Sequence, residues 1–328
     1  MANFIKKFQK IASQGLSILN GAVGDKLENS FLEVSMGFYH QEKKLSLEAS
    51  ALKQYCLERN SVMSEKICIL IHGLTHNETA WDFPDKTNYG TFLEKDFQFT
   101  PFYLRYNTGS HISDNGKKLA DLLETLYKNY AVPIQEICII SHSMGGLVTH
   151  SACHYAQEYD CKWTEKLKNI FLLATPHAGS FLEKFANITT NILEKVPNWQ
   201  TRLVGDAINL RSAGIKDLRF GYLREEDWNE QLTDNLLHNT QKNIKKIKGA
   251  SYYIIAGRLT KDEKHWLTHL FGDILVNTES AKAEDHPYFF FPPENCYEFA
   301  QTNHFKIQTK MEVYEKIKNW LINLPSKL

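Results

Sequence analysis

The chain has 328 residues, a length that permits one large α/β domain or two ordinary ones, and with 43% hydrophobic and 12% aromatic residues it has ample material for a large core. Its 38 basic and 38 acidic side chains cancel, so it lacks the basic excess of a nucleic-acid-binding surface, and no nucleic-acid partner is expected. No run approaches the roughly 18 consecutive apolar residues of a transmembrane helix, and the N-terminus lacks the unbroken apolar stretch and small-residue cleavage site of a secretory signal, so a cytoplasmic location is expected.

In chain order, "MANFIKKFQKIASQGLSILN" (1–20) comes first, with Phe4, Phe8, Ile11, Leu16 and Leu19 near helical spacing and Lys6, Lys7 and Lys10 as its only charges. The preferred expectation is an amphipathic helix that docks on the rest of the domain or covers its site. Peripheral contact of residues 1–20 with a membrane surface is the competing one. "KICILI" (66–71), "FTPFYLRY" (99–106), "EICIIS" (136–141), "KNIFLLA" (168–174) and "SYYIIAG" (251–257) read as strands. Helical stretches lie at 115–130, 144–159 and 311–324.

Continuous apolar strands alternating with amphipathic helices predict a mostly parallel sheet with helices on both faces. The stretch 181–250 breaks the rhythm: it is polar and helix-prone, without a clear strand. The expected organisation is therefore an N-terminal helix and leading strands in 1–65, an α/β core in 66–180 and 251–328, and an inserted helical cap in 181–250. Cys56, Cys68, Cys138, Cys153, Cys161 and Cys296 are scattered over the chain and read as reduced thiols.

Chemistry concentrates where the strands end. In "CIISHSMGGLVTH" (138–150), Ser143 follows a strand and opens a helix. A nucleophile held on such a turn needs small side chains two residues before and two after, which Ser141 and Gly145 supply. The competing reading is an ordinary serine N-cap. "ILIHGLTHNETAW" (69–81) turns after His72-Gly73, so the backbone N–H groups of Leu74 and Met144 are the expected oxyanion hole. His72 itself reads as structural.

A serine nucleophile needs a histidine base, and the histidine needs a carboxylate that orients it. Asp273 in "HLFGDILVNTESA" and His304 in "YEFAQTNHFKIQT" follow Ser143 in the order Ser, Asp, His. Asp262, Asp285 and His286 are the rivals. His150/His154 and His265/His269 share helix faces, but neither pair matches His-Glu-x-x-His or has a further ligand nearby. No metal or cofactor is expected.

These residues resemble the serine esterase/lipase branch of the α/β-hydrolase superfamily, in particular bacterial lipases and proteins similar to the deacylase that removes acyl chains from the inositol of lipid anchors. The resemblance lies in "HGLTHNETAW" (72–81), "YNTGSHISDNG" (106–116), "SHSMGGLV" (141–148), "TPHAGS" (175–180), "LRSAGIKDLRFG" (210–221), "GDILVNTESA" (272–281) and "TNHF" (302–305). It implies an α/β-hydrolase fold with an inserted helical cap, Ser143 as nucleophile, Asp273 as orienting acid and His304 as general base. Two positions depart from the pattern: Ser141 stands in place of the first glycine of Gly-x-Ser-x-Gly, and Ile274 in place of a glycine after Asp273. The expected activity is hydrolysis of a small-molecule ester or lipid through an acyl-enzyme. An acyltransferase or thioesterase, an amidase or peptidase, and a non-catalytic binding protein on the same scaffold are the alternatives.

Overall fold

A computed structural model of the protein describes residues 13–21, 24–27, 33–177, 212–229, 244, 246–258, 291–302, 304 and 306–323. The first strands are β1 (Gly37–His40) and β2 (Lys43–Lys44), a hairpin whose two-residue turn puts Gln41 and Glu42 at φ 49° and 67°. β3 (Lys66–Ile71), β4 (Thr100–Arg105), β5 (Glu136–His142), β6 (Leu167–Leu173) and β7 (Ser251–Arg258) follow, each within one residue of its expected bounds. β8 (Cys296–Ala300) comes last, shortly before His304.

The eight strands form one sheet in the order β2-β1-β4-β3-β5-β6-β7-β8. β1 pairs antiparallel with both neighbours, and from β4 to β8 every pairing is parallel.

Helices α1 (Ala49–Glu58), α2 (Tyr89–Phe97), α3 (Ile112–Asn129), α4 (Met144–Glu158), α5 (Ala213–Phe220), α6 (Glu225–Asn229) and α7 (Met311–Ile322) pack with the sheet or lie between its strands in the chain, and residues 13–21 are helical as well. The central strands β3 and β5 are almost wholly apolar because both faces are covered. Ile67, Ile69, Ile71, Ile137 and Ile139 point to one core with Leu52 of α1, Leu119 and Leu123 of α3, and Leu147 and Val148 of α4. The alternate residues Cys68, Leu70, Cys138 and Ile140 face a second core with Leu93 of α2 and Val313 and Ile317 of α7. Burying each such isoleucine or leucine contributes about 1.5–3 kcal/mol. All six cysteines are free, and burial raises the pKa of the Cys68 and Cys138 thiols, side by side in β3 and β5, which leaves them unreactive.

Strand order fixes where a ligand can sit. From β3 the chain steps to β4 on one side, then crosses back to β5 on the other. The loops leaving β3 and β5 therefore run in opposite directions, and such a switch point leaves a crevice at the carboxyl ends of the strands. His72-Gly73-Leu74 leaves β3 there, and Ser143 leaves β5.

Candidate active site

Ser143 joins β5 to α4 at φ 52° and ψ −124°, a conformation that costs an L-residue of this kind about 1–3 kcal/mol. The turn is held from both sides: Ser143 N–H donates to the Leu173 carbonyl of β6 at 2.8 Å, and Gly146 N–H donates to the Ser143 carbonyl at 2.9 Å. Although Ser143 occupies the N-cap position of α4, its side chain makes no capping hydrogen bond. The helix-cap reading therefore loses its purpose. Instead, the hydroxyl stands at the positive end of a fifteen-residue helix, where a developing negative charge is favoured.

The close approach behind this turn explains its small residues. A Cβ added at Gly145 would lie 2.5 Å from the His72 carbonyl oxygen and 2.7 Å from that of Ile71. At Gly146 it would strike the Thr175 side chain, from the Thr-Pro-His segment after β6. Ser141 is fully buried in β5 between Ile71 and Leu172, and its hydroxyl has no hydrogen-bond partner among the described residues. The position thus tolerates a small side chain without making use of its oxygen.

The loop after β3 lies against the serine. A Cβ on Gly73 would sit 3.0 Å from Ser143 Cβ. Leu74 follows, buried, in a turn closed by the His76 N–H on the Gly73 carbonyl at 3.3 Å and carrying Thr75 at φ 63°. His72 is structural: it stacks on Tyr106 with ring centroids 4.5 Å apart, its Nδ1–H donates to the Gly73 carbonyl at 2.9 Å, and burial pushes its pKa down to about 3. Burial likewise lowers His76 to about 4.

His304, half-buried in the loop after β8, is brought to the same place. Its carbonyl accepts the Nε2–H of His142, the residue before Ser143, at 2.8 Å, and the two imidazoles lie 4.8 Å apart. His142 is the site residue that sequence reading missed. Its only signal was a histidine between two serines on an elbow, and its partner lies 162 positions downstream.

With the geometry in place, comparison with known proteins is informative. Residues 62–217 match the family described as "Putative serine esterase (DUF676)". That match spans a little under half of the chain, and over it the chain is similar to serine esterases, while the strand order and the parallel pairings from β4 to β8 fit an α/β-hydrolase fold. No curated protein sequence matches it. Among solved structures it is similar to an esterase from Thermogutta terrifontis (12% identity over 78% of this chain and 89% of that one, TM-score 0.40). An esterase of Pyrococcus furiosus gives 16% identity over 78% and 82%, with TM-score 0.42. Tomato methylketone synthase I gives 12% over 80% and 100%, with TM-score 0.45.

Asp273, its rivals Asp262 and Asp285, and also Ile274, His286, His265 and His269 lie outside the described residues. So do residues 178–211 and 230–243 of the expected cap. His150 and His154 do not converge: His150 meets His177, Nε2 to Nε2 at 3.2 Å, whereas His154 pairs with Glu158 on its own helix. Among the described residues, no helix is long and apolar enough to cross a membrane.

Residues 13–21 dock on the loops at the strand ends. Residues 13–21 are helical, yet the buried positions are Ser17, Asn20 and Gly21, while Leu16 and Leu19 are half-exposed. Phe4, Phe8 and Ile11 of the apolar stripe lie outside the described residues, and the buried positions of 13–21 meet polar loops. Asn77 Nδ2 donates to Ser13 Oγ at 3.1 Å, Ser212 Oγ to the Gly21 carbonyl at 2.9 Å, and Asn107 Nδ2 to the Gly24 carbonyl at 3.0 Å. α5 is seated alongside, with Gly214 against the Thr108 and Ser110 carbonyls and the Met144 side chain.

α5 is latched to α3 by a buried carboxylate. Asp217 accepts the Ile112 N–H at 2.8 Å and the Nδ1–H of His111 at 3.0 Å, and His111 stacks on Trp228 at 3.9 Å. Burial opposes a charge on His111, but the hydrogen bond and charge of Asp217 outweigh it and raise its pKa. Burial also raises Asp217 itself. The direction for His111 governs the neutral range, because its ring is partly exposed and bonds both carboxylate oxygens. A raised folded-state pKa means that the pair stabilises below the ordinary imidazole pKa of about 6.5 and loses that contribution as pH rises through the raised value. The melting temperature of the wild type is expected to exceed that of His111→Gln more at about pH 6 than at about pH 9. A gap independent of pH would exclude an ion pair here.

Proposed function

We propose that the protein is a serine-dependent carboxylic-ester hydrolase that works through an acyl-enzyme, with Ser143 as nucleophile, His304 as general base and Asp273 as the acid that orients it. The observation that carries this reading is the strained Ser143, whose hydroxyl caps nothing although it stands at a helix N-terminus. His304 takes the hydroxyl proton as the serine oxygen attacks the ester carbonyl. The N–H groups of Met144 and Leu74 hold the oxyanion, and each donor in such a hole is worth about 2.7–4 kcal/mol. His304 then passes its proton to the leaving alcohol, and water activated by the same imidazole releases the acid.

Material packed over the strand ends, α5 with residues 13–21 and 24–27, covers the crevice and favours hydrophobic acyl groups over small soluble ones. The test is hydrolysis of p-nitrophenyl esters from acetate to palmitate, with and without lipid vesicles and with and without residues 1–20. A rising kcat/KM with chain length is expected. Strict preference for the acetate would remove lipids from the substrate class, and indifference to vesicles in both forms would remove membrane contact through residues 1–20.

A further inference from the structure

We propose that His142 is a positioning residue whose side chain locks the His304 loop onto the nucleophile turn. The proposal rests on the reading of His304 as the base. His142 ends β5 and is 1% exposed. Its Nε2 lies 2.8 Å from the His304 carbonyl oxygen. A carbonyl only accepts, so the imidazole proton is on Nε2 and the lone pair on Nδ1. That Nδ1 has no hydrogen-bond partner among the described residues and faces the loop after β3, where a Cβ on Gly73 would lie 3.0 Å away. Burial, then the neighbouring His304 and His76 imidazoles, hold the His142 pKa well below the ordinary value, so the ring is neutral and this single tautomer persists at working pH.

One side chain thus touches all three parts of the site. It is covalently next to Ser143, it packs on the turn that carries Leu74, and it holds the backbone of His304. The tie matters because His304, between β8 and the short 3₁₀ turn Lys306–Thr309, itself belongs to neither a strand nor a helix. A base displaced by 1 Å from its proton can cost about 100-fold in rate, so a hydrogen bond to its backbone is a rate device even though it never meets substrate.

The experiment compares His142→Gln, His142→Asn and His142→Leu on a p-nitrophenyl ester, with His304→Ala and Ser143→Ala as references. Glutamine places an amide N–H about where Nε2 is, whereas asparagine reaches only about as far as Nδ1, and leucine has no donor. The expected result is a kcat loss of about 10- to 100-fold for leucine and asparagine with KM nearly unchanged, and recovery to within about threefold for glutamine. Should the leucine variant fail to fold, the glutamine–asparagine pair decides, since both are similar buried amides that differ in reach. Equal kcat in those two, or a loss in glutamine as deep as in asparagine, overturns the proposal and leaves His142 as packing. Wild-type turnover in His304→Ala would overturn the reading of the base, and the proposal with it. A dead His304→Ala beside a fully active His142→Asn would overturn the proposal alone.

Discussion

Ser143→Ala is expected to lose ester turnover by about a million-fold, the scale seen when the serine of a comparable triad is removed. Labelling by a fluorophosphonate, which reports a serine oxygen activated by its base, is expected to vanish with it. Stability is expected to change little, because the Ser143 side chain contributes no capping bond and alanine suffers the same strain at φ 52°. Ser143→Gly separates the two effects. It is equally inactive, but it relieves the positive φ and is expected to gain about 1 kcal/mol in urea unfolding. Retained labelling in Ser143→Ala would place the nucleophile elsewhere. Loss of stability in Ser143→Gly would contradict the strained turn.

Gly145→Ala is the second large effect, and the two small positions flanking the serine are expected to respond differently. The added Cβ meets two backbone oxygens at the end of β3, which cannot rotate away, so β3 and α4 must separate. A cost of about 1–3 kcal/mol in stability follows, and a kcat loss of about 100-fold accompanies the displaced turn. Ser141→Gly is expected to be tolerated, since it removes a buried hydroxyl without a partner among the described residues. Ser141→Leu forces a branched side chain between Ile71 and Leu172 and is expected to cripple activity. Urea unfolding with kcat on the same preparations checks both positions. An active Ser141→Leu would show that the spacing around Ser143 does not depend on the residue two before it.

The core strands could be read from sequence because they satisfy both sheet faces at once. Ile67, Cys68, Ile69, Leu70 and Ile71 alternate between two cores, so the run is apolar without interruption and hard to mistake. α2 escaped notice because its signal is local. Asn88 and Thr91 form a capping box built from asparagine and threonine rather than the usual serine and glutamate. Residues 13–21 read as helical in the sequence and are helical, and the polar Ser17 and Asn20 are among their buried positions. Periodicity measures where apolar residues fall, and this face meets polar loops through Ser17 and Asn20. At the site, Ser143, Gly145 and the turn at Gly73 were legible because steric closeness demands particular residue types. His142 was not, since its role comes from a contact with a distant stretch of chain that spacing cannot reveal.

The strand order also sets a sequence of events during synthesis. β3, β4, β5 and β6 are consecutive in the chain and adjacent in the sheet, whereas β7 and β8 emerge only after the stretch from 174 to 250 has been made. Chains fold from the N-terminal end as they emerge. The turn bearing Ser143 can thus be assembled on the ribosome, with its glycines and its neighbouring strands in place, before His304 exists. On the proposed mechanism, a nascent chain therefore carries an unarmed serine, which the loop after β8 arms only when the molecule is nearly complete.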